Sequence, residues 1–264
     1  YPDVTTHTAL ALTAAAAVLA IPAAANAAVV SFGYGGATAK TPVVGSDQHL
    51  PPLAVTTDYL VSPAMGANIV ALRQSGGYTA DISGTVSRAR TYLDGWLDRT
   101  CGKNAPVAKV RRCKAMVVTD MDDTLVSWYQ YYSDPAVNWT ENPPVQDQIM
   151  QACGTPAIQP SVNLLRRAKA RGVAIVVITG RKQATLPYTA SCLEKIGVTG
   201  VKQIILRSPP QETLTAAVYK SRARAGLEKQ GWKIALSIGD QVSDMSLGHA
   251  DAGFLLPNPM YFIP

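Results

Sequence analysis

From residue 115 onward, short aliphatic and β-branched runs alternate with longer amphipathic stretches, and no other feature narrows the possible folds of this chain as much. The runs at 115–119, 173–178, 203–206, 234–238 and 253–256 are continuously apolar, the pattern of strands covered on both faces. Between them, residues 161–171, 183–196, 212–230 and 242–249 carry apolar side chains at helical spacing. Buried strands separated by helices require parallel pairing and right-handed crossovers. The predicted fold is therefore α/β, a three-layer doubly wound parallel sheet. Ahead of it, residues 67–73 and 85–97 predict two helices, the second with Val86, Ala89, Leu93 and Trp96 or Leu97 on one face. Composition agrees. With 47% hydrophobic and 16% charged residues in 264, the chain has core enough for one domain with extensions, and disorder is excluded. Lys and Arg number 24 against 18 Asp and Glu, and this mild, scattered excess argues against a nucleic-acid polymer as partner.

The first part of the chain reads differently. No Lys, Arg, Asp or Glu occurs between Val4 and Ala39, and the alanine-rich run from Ala9 ends near Pro22, with the small residues Ala25, Asn26 and Ala27 behind it. Residues 1–27 are thus expected to be a signal peptide cut after Ala27, and the protein to be secreted without a stable membrane anchor. The sequence opens on Tyr1 with no basic residue before the apolar run, which fits a start further upstream. Residues 28–60 are rich in Gly and Pro and are expected to form a linker or extended arm, with the folded domain at 61–264. Export makes disulfides the expected state of Cys101, Cys113, Cys153 and Cys192. The short separation of Cys101 and Cys113, around a loop with Gly102, Asn104 and Pro106, favours that pair and leaves Cys153 with Cys192.

Ligands of doubly wound sheets bind at the carboxyl ends of the strands, so the residues there matter most. The first strand ends in Asp120-Met121-Asp122-Asp123-Thr124. Two neighbouring carboxylates repel unless a cation lies between them or one holds a proton, and either state suits phosphoryl chemistry. One carboxylate attacks phosphorus, and the other protonates the leaving oxygen and later activates water. The second strand ends in Thr179-Gly180-Arg181, which offers a hydroxyl, an open backbone and a positive charge to a phosphate. The fourth ends in Gly239-Asp240-Gln241-Val242-Ser243-Asp244, acidic groups suited to a hard cation such as Mg²⁺. Lys220, on the preceding helix, supplies a balancing charge.

In this order, the four stretches resemble the motifs of the haloacid dehalogenase superfamily of phosphohydrolases: 117–125, 177–181, Lys220 and 238–244. Ser75-Gly76-Gly77-Tyr78, Tyr219-Lys220-Ser221 with Arg224, and Leu256-Pro257-Asn258-Pro259-Met260-Tyr261 are similar to the class B-like acid phosphatases of subfamily IIIB, which include plant vegetative storage proteins. The likeness covers about residues 60–264. It implies Asp120 as nucleophile and Asp122 as acid and base. Mg²⁺ would be held by Asp120, Asp240 and the main-chain carbonyl of Asp122, with Asp244 behind through water. Thr179, Gly180 and Lys220, with Arg181 and Arg224 beside them, would bind phosphate. The implied activity is phosphomonoester hydrolysis through an aspartyl-phosphate, with a storage protein of little turnover or a phosphotransferase as alternatives.

An insertion at about 125–160 follows the first strand and is expected to be a small lid. Its rings Trp128, Tyr129, Tyr131, Tyr132 and Trp139 would stack on a planar leaving group, which makes nucleotides candidate substrates, or else pack the lid onto the core. His7, His49 and His249 are scattered, and no Gly-x-Ser-x-Gly elbow follows a strand, so histidine-based and serine-based hydrolysis are not expected.

Overall fold

The computed structural model describes residues 29–30, 33–34, 37–38, 43–45, 59–60 and 63–263. The expected leader, residues 1–27, lies outside them. Short strands β1 (Val29–Val30), β2 (Gly33–Tyr34), β3 (Ala37–Thr38), β4 (Val43–Gly45) and β5 (Tyr59–Leu60) precede helices α1 (Pro63–Gln74), α2 (Gly77–Cys101) and α3 (Val107–Arg112). Then come β6 (Ala115–Thr119), α4 (Tyr129–Tyr132), α5 (Pro143–Ala152), α6 (Gln159–Ala170), β7 (Ala174–Lys182), α7 (Leu186–Lys195), β8 (Gln203–Arg207), α8 (Ala216–Lys229), β9 (Lys233–Gly239), β10 (Gly253–Leu255) and β11 (Tyr261–Phe262). Among the described residues, no helix is long and apolar enough to cross a membrane.

The sheet order is β1-β4-β10-β9-β6-β7-β8, in which β4, β10, β9, β6, β7 and β8 run parallel and β1 antiparallel. Every residue of β6 is buried, because the sheet has a core on each face. On one face, Ala115 and Val117 of β6 pack with Ala89, Leu93 and Leu97 of α2 and with Leu165 of α6. On the other, Met116 and Val118 pack with Tyr219 and Leu227 of α8. This is the expected three-layer arrangement. The chain leaves β6 towards β7 and β8 on one side, then returns to β9 on the other. The switch point therefore falls between β6 and β9, where a crevice opens at their carboxyl ends.

The described parts of the expected linker are not bare connection: β4 runs parallel beside β10, and β5 pairs antiparallel with β11. Residues 105–112, taken above as loop, include α3, begun after Pro106. The helix expected at 212–230 begins only at Ala216, where the Thr215 hydroxyl accepts the N–H of Val218. The helix expected at 242–249 is absent. A single 3-10 turn, Val242–Asp244, stands in its place. Buried Arg224 explains why, since it donates to the carbonyls of Asp244, Ser246 and Gly248. With those acceptors taken, the backbone passes through positive φ at Leu247, Gly248 and His249, which ends any helix.

The insertion is pinched at its neck by bonds from Ser127 N–H to the Pro156 carbonyl (2.9 Å) and from Ile158 N–H to the Leu125 carbonyl (2.8 Å). Trp128, Tyr131, Tyr132 and Trp139 are buried together, against Ile69 of α1 and Met260. The Arg73 guanidinium lies 4.3 Å from the centre of the Tyr78 ring and 4.0 Å from that of Tyr129, which ties α1 to the insertion. The lid rings therefore pack rather than present faces for stacking.

Both expected disulfides form: Cys101–Cys113, across 12 positions, and Cys153–Cys192, across 39. No described cysteine is free. The second joins the end of α5 to α7 and thus closes the insertion onto the body. Chain-entropy arithmetic for a loop of that length gives ~4 kcal/mol. Replacing Cys153 and Cys192 together by Ala is expected to lower unfolding stability in urea by about 2–4 kcal/mol, and removal of Cys101 and Cys113 to cost less.

Candidate active site

The Asp120 carboxylate projects from the end of β6 and that of Asp240 from the end of β9, on the two sides of the switch point. Together with Asp122, Gly180, Arg181 and Lys220 they line a cleft of about 370 Å³. Asp244, from the turn after β9, completes a buried trio. Ligand oxygens of Asp120, Asp240 and Asp244 lie within 4.8 Å of one another. Lys220 reaches the trio from α8, donating to Asp120 Oδ1 at 2.9 Å and to Asp244 Oδ1. Burial works to remove its proton, but Asp120 and Asp244 outweigh burial and hold the ammonium charged. Three buried carboxylates against one ammonium still leave negative charge uncompensated. The donors are hard oxygens, so the residues fit a divalent cation such as Mg²⁺.

Each carboxylate is steered by its neighbours. Asp240 accepts from the Thr124 hydroxyl (2.9 Å), the Asn258 amide (2.8 Å) and the Gln241 amide (2.7 Å). Burial, then Asp244 and Asp120, raise its carboxyl well above the ordinary range. Asp244 accepts the N–H of Gln241 (2.9 Å), and its carbonyl accepts the Ser237 hydroxyl (2.7 Å). Gly239 makes room for it: a Cβ there would stand 2.0 Å from Asp244 Oδ2. Burial lifts Asp120 to about 7, although Lys220 works against the shift.

Asp122 lies apart from the trio. Arg181 donates to its two oxygens at 2.6 and 2.9 Å, and the Trp128 indole N–H donates at 2.6 Å. Burial pushes the Asp122 carboxyl up, but Arg181 outweighs it and holds the group below the usual range. Its side chain is therefore not part of the metal-type cluster. Thr179 is buried and absent from the cleft lining; its hydroxyl accepts the Arg181 N–H at 3.3 Å. Gly180 does line the cleft, and nothing lies within 4 Å of where its Cβ would be, so packing does not demand a glycine there. Arg224, read above beside the phosphate site, is fully buried and staples the loop behind Asp244 instead.

Several supporting residues carry no signal in strand-end reading. Thr124 is one, and Trp128, read as a lid ring, is another. Asp123 accepts the Trp128 N–H (2.9 Å) and the Tyr261 hydroxyl (2.8 Å), while burial raises it to about 7. Asn258, Tyr261 and Ile263 belong to one terminal strap, in which Ile263 N–H donates to Gln241 Oε1 at 2.9 Å. Asn258 and Tyr261 stand in the stretch 256–261 that carries the subfamily resemblance, but their pairing with the strand-end carboxylates is visible only once folded. Of the aromatic rings, Tyr261 lines the cleft, whereas the five insertion rings do not.

The family comparison bears on this same span: the HAD superfamily, subfamily IIIB (acid phosphatase), matches residues 46–264. The chain belongs to that subfamily. Among curated relatives, vegetative storage protein 1 of Arabidopsis thaliana is 32% identical over 149 residues, 56% of this chain and 55% of the relative. Acid phosphatase 1 of Solanum lycopersicum is 32% identical over 149 residues, 55% of this chain and 58% of the relative. The chain thus spans little more than half the length of the curated relatives it matches. Among solved structures, the class C acid phosphatase from Bacillus anthracis superposes with a TM-score of 0.57 at 19% identity, covering 75% of this chain and 86% of that one, a likeness of fold.

Two outcomes are expected. Gly239→Ala should displace Asp244, costing about 1–3 kcal/mol of stability and weakening Mg²⁺ binding in a calorimetric titration, whereas Gly180→Ala should leave the unfolding midpoint unchanged. The second concerns pH. Asp120 and Asp123 stand at about 7 when folded against an ordinary 3.8, so between those values the folded metal-free chain binds protons that the unfolded chain has released. Stability from these two groups is complete below the unfolded value and is lost as pH rises through the folded one. Asp122, shifted downward, is ionised in both states across that window and adds no slope there. The melting temperature of EDTA-treated protein should therefore fall from about pH 5 to about pH 7, and excess Mg²⁺ should blunt the fall.

Proposed function

We propose that this protein is a secreted, Mg²⁺-dependent acid phosphatase that hydrolyses phosphomonoesters through an aspartyl-phosphate on Asp120. The observation that carries the reading is the meeting of Asp120, Asp122 and Lys220 in one cleft at the sheet's switch point. Membership of the acid phosphatase subfamily supports it. Secretion is supported by the two disulfides and by the expected leader.

In this reading Asp120 Oδ attacks phosphorus as the bond to the leaving oxygen breaks, and Asp122 gives that oxygen a proton. Asp122, now ionised, takes a proton from water; the water oxygen bonds to phosphorus, and the acyl-phosphate bond breaks to free phosphate and Asp120. Lys220 and the backbone at Gly180 offset the charge of the phosphoryl group during both steps. A bound Mg²⁺ held by Asp120, Asp240 and Asp244 would supply further charge neutralisation and fix the phosphoryl oxygens. Arg181 has two uses. At rest it keeps Asp122 ionised, and an incoming phosphate dianion competes for the same guanidinium. Loss of that partner lets Asp122 take up the proton that the first step spends. The packing of the lid rings gives no support to nucleotide stacking, so planar leaving groups have no special place in the proposal.

Asp120→Asn should abolish turnover of a phosphomonoester panel assayed with and without EDTA at acidic and neutral pH, and EDTA should silence the wild type. Retention of a tenth or more of normal activity by the variant would refute a covalent route through Asp120. A wild type inactive throughout would favour a storage role, the role named in some relatives.

A further inference from the structure

The cleft has an outer wall of different character from its acidic floor. Lys182 ends β7 and Arg207 ends β8, and the two are register partners across those parallel strands. Neighbouring strands run about 4.8 Å apart, so the backbones of these two basic residues lie side by side near the sheet's β8 edge. A register shift between Ile178 and Lys182 carries β7 through Thr179-Gly180-Arg181 and back into pairing with β8. Both residues line the same cleft as Asp120 and Lys220.

Neither cation is used up by the fold. Lys182 Nζ lies 3.4 Å from Glu212 Oε2, with the two side chains 70% and 38% exposed, and such a solvated pair is weak. Arg207 is better anchored: one N–H donates to the Leu214 carbonyl at 2.8 Å, and the guanidinium stands 5.1 Å from the centre of the Tyr219 ring. A guanidinium carries five donors in a planar fork, so an anchored arginine retains donors for a carboxylate or phosphate. Glu212, also on the wall, offsets one of the two charges and leaves one net positive.

We propose that Lys182 and Arg207 form a second anion subsite at the mouth of the cleft, selecting phosphomonoesters whose leaving group carries a carboxylate or a further phosphate. The subsite rests on the phosphatase reading above, since it is defined by what lies beyond the scissile phosphoryl group. An uncharged leaving group gains nothing from two cations, whereas an anionic one exchanges water for charge-assisted hydrogen bonds. Glu212 sets the sign of a third test: removing its charge frees Lys182.

The test compares three substrates: glycerol phosphate, phosphoglycerate, which bears a carboxylate in place of a hydroxymethyl group, and glycerol bisphosphate. Wild-type kcat/KM should be about tenfold higher for at least one anionic substrate than for glycerol phosphate, with the difference lying in KM and shrinking at high salt. The two anionic arms tell carboxylate from phosphate. Lys182→Gln and Arg207→Gln should each cut the preference by about threefold or more and leave glycerol phosphate turnover unchanged. Glu212→Gln should increase it. Lys182→Gln alters an exposed side chain, so it remains informative if Arg207→Gln fails to fold. Turnover of glycerol phosphate with equal kcat/KM for the other two, or a preference that survives both substitutions, overturns the subsite alone. No turnover of any of the three overturns the phosphatase reading and the subsite with it.

Discussion

Three carboxylates that meet inside a protein repel one another, and most of the architecture around this cleft answers that repulsion. Asp120, Asp240 and Asp244 come from two strands and a turn, and Lys220 arrives from a helix on the far side of the sheet. None of them is stable in such a place alone, because an unpaired charge removed from water is costly. The hydroxyl of Thr124, the amides of Asn258 and Gln241, and the N–H of Gln241 spread the remaining charge through hydrogen bonds. The sheet's change of direction makes the meeting possible, since it sets the carboxyl ends of β6 and β9, far apart in the chain, side by side.

The sheet was legible because its inner strands β6, β7 and β9 are largely buried and so carry apolar runs, which few other structures require. The residues at the strand ends were legible for a related reason: polar side chains immediately after such runs have nowhere to go but the crevice. The segment after Asp240 was misread because its apolar spacing is helical, while the fold gives its carbonyls to Arg224, and local pattern holds no trace of a partner twenty residues earlier. Arg224, placed beside the phosphate by the resemblance alone, is buried and serves a loop instead. The disulfides were legible from the expected export and from the short Gly-, Asn- and Pro-bearing loop between Cys101 and Cys113, a pairing that leaves Cys153 with Cys192.

The insertion shows where composition and role part. A concentration of rings beside a catalytic strand reads equally well as a binding face or as a small core. An insertion of this length has little interior of its own, so its large side chains are needed to hold it together, and four of the five are buried in doing so. What remains for the cleft is a single indole N–H, from Trp128 to Asp122, and the outer wall is lined instead by Lys182, Arg207 and Glu212.

That indole has a use for the experimenter. A tryptophan bonded to a carboxylate emits differently as the carboxylate gains or loses its proton or its guanidinium partner, and Trp128 sits 2.6 Å from the Asp122 oxygen. With Trp96, which bonds Asp251, and the remaining tryptophans Trp139 and Trp232 replaced, the molecule would carry an optical reporter beside Asp122, readable in real time without an added label or a chromogenic ester.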